Sequence, residues 1–280
     1  MKFYTNIQCF GNNILYRGVE NGKVIKEKIE YSPSLYIPSK NGKVTSFKNL
    51  EGDFLDQKTF STVREARDYI KQFDGIPGGP KIHGQTRYEY AFIADEHPGS
   101  VEWDQKHVCV AFIDIEVGSE NGFPDPYEAS EPITAIAIKY QDGETLVYGC
   151  GDYVIQGSEK YIKCRDEWTL CKTFLQQWQK KCPDAITGWN IKFFDIPYLI
   201  NRFERILGEG YARKLSPWGF ITDRKTVING RDMIAYEMVG VSCLDYIELY
   251  KWYAPGGKSQ ESYKLDNIRS EEHTSELQSH

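Results

Sequence analysis

One short run limits what this chain can fold into. Val110-Ala-Phe-Ile-Asp-Ile-Glu-Val117 sets two acids, Asp114 and Glu116, inside an apolar and β-branched stretch. Such a stretch reads as a strand. Side chains alternate faces along a strand, so the two carboxylates point the same way. Side by side they repel each other and cost desolvation energy unless cations sit between them. Hard oxygen donors of this kind suit magnesium or manganese. A metal-dependent site acting on a phosphodiester is the leading expectation.

A second segment supplies a third acid. In Thr187-Gly-Trp-Asn-Ile-Lys-Phe-Phe-Asp195-Ile-Pro-Tyr198, Ala185 to Gly188 reads as a short strand and Trp189-Asn190 as its exit. The residues after Asp195 read as a helix, with Pro197 in its first turn and Asp195 as its N-terminal cap. An isolated Asp at such a place is usually a plain cap. A strand-to-helix junction is also where α/β folds carry their sites.

The rest of the chain divides by pattern. Residues 1–104 read as a β-rich unit, with strands over Phe3–Phe10 and Asn13–Val19 and turns at Gly11-Asn12 and Asn21-Gly22. Thr62–Phe73 reads as a helix burying Val63, Ala66, Tyr69 and Ile70. Gly75–Pro80 is a loop, and Tyr88–Ala94 another strand. From Gln105 the pattern turns α/β. Strands are expected at 107–117, 133–140, 145–149 and 184–188. A helix is expected over 166–181, burying Trp168, Cys171, Leu175 and Trp178, and another from 196. Residues 225–235 read as a hairpin turning at Asn229-Gly230.

The ordered series of motifs resembles family B DNA polymerases, in particular those of T-even-like phages. Phe112–Val117 is similar to the family's first exonuclease motif and Thr187–Tyr198 to its second. Further similar stretches are Glu30–Leu35, Asn121–Pro126, Lys214–Pro217, Leu244–Tyr250 and Ser262–Asp266. The resemblance runs from Met1 to about Ile268. It implies a β-rich N-terminal polymerase domain (1–104) followed by a ribonuclease-H-like α/β exonuclease domain (105–268).

By that resemblance Asp114, Glu116 and Asp195 are the catalytic metal ligands. Asp114 bridges two ions, magnesium or manganese, in the complete site. Glu116 holds the nucleophile-side ion, and Asp195 supports the leaving-group ion. The implied reaction is removal of nucleotides from a DNA primer 3′ end or from single-stranded DNA, as proofreading. Polymerase domains and replisome proteins are the implied partners, in the cytoplasm of an infected bacterial host. The family's fourth acid, in a Tyr-x-x-x-Asp motif, lies beyond the matched region. The exonuclease domain is thus expected to be truncated and this chain to be a poor exonuclease. Tyr263 and Asp266 match an earlier element, and Asp245 a position that is not a ligand.

Composition permits this without requiring it. The net charge of −6 over 280 residues is no signature of nucleic-acid binding, so local cations must serve. A second class stays open: a non-catalytic single-stranded nucleic-acid-binding module using Lys23, Lys26, Lys28, Arg64, Arg67 and Lys71 among aromatic residues. The same charges also suit a solvated face. Seven cysteines, an odd number without Cys-x-x-Cys spacing, read as reduced thiols. No apolar run approaches a membrane span. Arg269–His280 breaks the pattern abruptly and resembles the translation of a common sequencing adapter. It is expected to lack order, since Leu277 is its one apolar residue.

Overall fold

The computed structural model of the chain describes residues 1–40, 43–120, 122–228 and 230–253, with Tyr263 and Ile268. The expectations for Asn229, Asp266 and the tail 269–280 lie outside the described residues. The chain separates into two compact units, Met1–His107 and Val108–His280.

In the first unit, β1 (Lys2–Phe10), β2 (Asn13–Glu20) and β3 (Lys23–Glu30) form an antiparallel meander. The second turn needs positive φ at both central residues. Asn21 and Gly22 provide it, at 52° and 76°. Strands β4 (Ser34–Pro38), β5 (Phe47–Lys48) and β6 (Phe54–Thr59) make a second antiparallel sheet, in the order β4-β6-β5. Helix α1 (Val63–Lys71) starts where Thr62 Oγ1 accepts from the Glu65 N–H. Its Val63 and Ala66 are buried, with Tyr69 and Ile70 packed at the margin of the same core.

Residues 88–96 correct the expected strand at 88–94: they form helix α2 (Tyr88–Glu96). The aromatic-rich Tyr-Glu-Tyr-Ala-Phe imitates an alternating pattern. Tyr88 and Phe92, four apart, are both buried, against a cluster that includes Tyr16, Tyr31 and Leu35. Tertiary burial at helical spacing overrides the strand preference of aromatic residues.

The second unit is α/β. Its strands are β7 (Val110–Val117), β8 (Ile133–Tyr140), β9 (Thr145–Gly149), β10 (Lys160–Lys163), β11 (Ala185–Gly188) and β14 (Ser242–Asp245). They form one mixed sheet in the order β10-β9-β8-β7-β11-β14. Strands β7, β8 and β9 run antiparallel, while β11 runs parallel to both β7 and β14. Helices α3 (Glu167–Lys180) and α4 (Asp195–Leu207) bury their apolar residues with Ala111, Ile113 and Ile115 of β7. The hairpin of β12 (Ile221–Ile228) and β13 (Arg231–Met238) has the expected position, and α5 (Tyr246–Tyr253) follows β14. Among the described residues no helix is long and apolar enough to cross a membrane.

Helix α3 buries Cys171, Leu175 and Trp178 as the sequence predicts, but Trp168 is 40% exposed and lies under the Lys172 ammonium. The apolar face is completed instead by Leu170 and Phe174. The Trp178 indole donates to the Leu215 carbonyl at 2.8 Å, so its polar atom is satisfied inside the core.

Helix α4 is tied to the segment that follows β7. The Arg202 guanidinium clasps Glu167 through two 2.7 Å bonds and donates to the Ala129 and Ser130 carbonyls at 2.9 and 2.8 Å. Glu167 also accepts from the Ile133 N–H at 2.7 Å. The Tyr198 hydroxyl donates to the Glu131 carbonyl at 2.7 Å. These polar contacts fix the end of the connection between β7 and β8.

Candidate functional site

Strand β7 divides its side chains cleanly. Ala111, Ile113 and Ile115 are buried, whereas Phe112, Asp114 and Glu116 are exposed on the opposite face. The shared face expected for the two acids follows from this alternation. In β8, Ala137 and Ala135 stand opposite Asp114 and Glu116. Small neighbours there leave room around the carboxylates.

Strand β11 pairs with β7 from Ala185 to Thr187 and ends at Gly188. A Cβ at Gly188 would meet the Ile113 carbonyl oxygen at 2.6 Å and Ile191 Cγ2 at 2.5 Å. Only hydrogen fits where the departing strand crosses β7. Gly188→Ala is therefore expected to lower unfolding free energy by about 1–3 kcal/mol, as overpacking does. Urea unfolding checks this; an unchanged midpoint would mean that the strands can part without cost.

Beyond the end of β11, a carboxylate takes over as partner of β7. Asp195 Oδ1 accepts the Ile115 N–H at 3.1 Å, and the residue is 4% exposed. This corrects the expected cap: Phe194 occupies the N-cap position and Asp195 is the first helical residue. Its side chain accepts from the Ile115 amide of β7 and from its own amide. Burial foremost, and the neighbouring Asp114 charge second, raise its pKa to about 7, with a smaller push from Asp245. Asp114 is also raised, by loss of surrounding water, partly offset by the Ile115 backbone. Asp195, the more enclosed of the two, holds its proton up to about pH 7.

The Asp114 charge thus acts on Asp195 beside β7, and Glu116 shares the Asp114 face. Among the described residues no three of His, Cys, Asp or Glu stand ready-placed around one ion. The donor chemistry nevertheless suits a hard divalent cation: three carboxylates, with the charges of Asp114 and Asp245 acting on Asp195.

Asp245 is the feature least visible in the sequence. It is 3% exposed, and its oxygens accept the N–H groups of Asn190 and Lys192, both at 2.9 Å, and of Ile247 at 3.1 Å. The sequence signal, an acid closing an apolar stretch, marks it as structural without naming its partners.

A mixed sheet with helices α3 and α4 packed against it has the form of an exonuclease domain of the ribonuclease-H-like type. The model of the DNA polymerase family B exonuclease domain matches residues 87–268. The chain belongs to this family. It is 30% identical over 307 residues to the DNA-directed DNA polymerase of Escherichia phage RB69, covering 95% of this chain and 32% of that protein. Similarity to the DNA-directed DNA polymerase of Enterobacteria phage T4 is also 30%, over 301 residues, with 97% and 32% covered. The DNA polymerase catalytic subunit of Equine herpesvirus 2 is 28% identical over 207 residues, covering 69% of this chain and 20% of that protein. The chain therefore spans about a third of the length of its phage relatives.

Proposed function

We propose that the second unit carries part of a 3′–5′ exonuclease site in which Asp114, Glu116 and Asp195 hold divalent metal. The observation that carries this reading is the docking of Asp195 on the Ile115 amide, at the edge of the strand that bears Asp114 and Glu116 and close enough to feel the Asp114 charge. The first unit is read as the N-terminal domain of the same polymerase.

Asp114 and Glu116 would hold magnesium or manganese through their exposed oxygens. Asp195 would complete the site after giving up its proton. Bound divalent ions would activate water and stabilise the leaving oxygen of a phosphodiester. The chain's own task is to keep these carboxylates close despite their repulsion, on a rigid strand and a helix start rather than on a loop. The substrate class is a DNA 3′ end, presented as single strand, and the reaction serves proofreading in the cytoplasm of an infected host. The remaining polymerase domains and replisome proteins are the proposed partners.

The test uses 5′-labelled single-stranded DNA with manganese. Slow shortening from the 3′ end is expected, lost on chelation and reduced about 100-fold or more in Asp114→Ala. Shortening that continues unchanged in Asp114→Ala would remove the assignment. Salt-sensitive binding without cleavage would favour the second reading, a binding module. One observation supports that reading: Arg64, Arg67 and Lys71 line a concave site of about 460 Å³ with Gly11, Asn12 and Asp68.

A further inference from the structure

We propose that Asp245 is a positioning residue of this site: its buried carboxylate fixes the segment between β11 and α4 so that Asp195 is held against β7. The inference rests on the metal-site reading above and adds a residue to it.

The argument begins with where Asp245 lies. Strands β11 and β14 run parallel with Gly188 beside Asp245, so the acid stands where β11 ends and the chain must turn toward α4. An acid that merely started α5 would bond to α5 alone. Here the Ile247 N–H is one of three donors, and the other two, Asn190 and Lys192, belong to the turning segment. Asn190 adopts a left-handed conformation, with φ of 62°. Asn is among the few residues that tolerate this, and the bond from its N–H to Asp245 holds it there.

The same segment is clasped by other groups from α5. The Lys192 ammonium meets Glu248 at 2.6 Å, and the Trp189 ring lies 6.1 and 5.7 Å from those of Tyr246 and Tyr250. The turn then closes on itself, with the Phe194 N–H on the Asn190 carbonyl and the Ile196 N–H on the Ile191 carbonyl. Asp195 lies inside that closed turn. Its carboxylate direction is thus set by a chain of bonds whose far end is Asp245.

The chemistry also explains why the residue is an acid. Three N–H groups converge on two oxygens, and a carboxylate only accepts. An amide would offer two N–H groups to the same place and leave at least one donor facing another. Asp245→Asn should therefore loosen the turn while changing little in volume. Partners that orient a ligating carboxylate typically contribute 10–100-fold to metal affinity.

The experiment measures manganese affinity of the full chain and amide exchange at Asn190 and Lys192. Asp184 is the matched control. It is also 3% exposed and accepts a backbone N–H, that of Cys109, but at the opposite end of β11. Asp245→Asn should weaken manganese binding 10–100-fold and speed exchange of both amides, whereas Asp184→Asn should change neither. Should Asp245→Asn not fold, the unaltered chain carries the test: linkage requires that manganese slow exchange at Asn190 and Lys192. Equal losses in the two variants, an unaffected Asp245→Asn protein, or amides indifferent to manganese in the unaltered chain would each overturn the positioning role. An unaltered chain with no manganese affinity would instead sink the metal-site reading itself.

Discussion

Replacing Asp195 with Asn is expected to stabilise the metal-free protein at pH 8 while weakening its hold on manganese. The sign follows from proton binding. In the folded chain Asp195 keeps its proton up to about pH 7, against an ordinary value of 3.8. Between those values the folded state binds more protons than the unfolded state, so stability falls as pH rises. The loss is absent below about pH 4 and complete above about pH 7, where it reaches on the order of 4 kcal/mol. Asparagine carries no charge and still offers an oxygen to the Ile115 N–H, so it should escape this cost. Urea unfolding in chelator at pH 4, 6 and 8 should show the two proteins nearly equal at pH 4 and increasingly separated above it. A variant that is less stable than the parent at pH 8 would mean that Asp195 is not the proton-holding acid. Manganese titration supplies the other half: affinity of the parent should rise with pH up to about 7, as the proton leaves, and in the variant this rise should shrink to the part that Asp114 contributes.

The second large effect belongs to Arg202. Arg202→Met should cost about 3–5 kcal/mol, because it leaves Glu167 as an enclosed charge and the Ala129 and Ser130 carbonyls without their guanidinium donor. The double variant Arg202→Met with Glu167→Gln should recover part of that loss, since the uncompensated charge is gone while Gln can still accept the Ile133 N–H. Denaturant unfolding of the two single variants and the double variant measures both quantities. A loss below about 1 kcal/mol in Arg202→Met would place the pair among exposed ion pairs rather than enclosed ones. A double variant worse than the sum of the singles would mean that the acid and the guanidinium do not act as a pair.

Much of this protein is legible in the order of its residues. The alternation Ala111-Phe-Ile-Asp-Ile-Glu116 is sufficient to predict a strand with both acids on one face, because the strand period is two whatever the surroundings. Asn21-Gly22 predicts its turn, because few other pairs accept positive φ twice. The β12–β13 hairpin and the amphipathic α3 are legible for equally local reasons. The motifs around Asp114, Glu116 and Asp195 point to the family, and the match over residues 87–268 agrees.

Other features were decided only when distant segments met. Tyr88–Glu96 became a helix because Tyr88 and Phe92 had a common core to enter, which no local pattern announces. Trp168 stayed at the surface because Leu170 and Phe174 fill the face it was expected to share. Asp195 left the capping role because β11 ends early and leaves the Ile115 N–H of β7 without a strand partner. The sequence determined which acids are present and which two share a strand face, since that depends on backbone periodicity alone. The tertiary structure decided which acid keeps a proton and which one holds the turn, since burial and charge depend on what packs around each carboxylate.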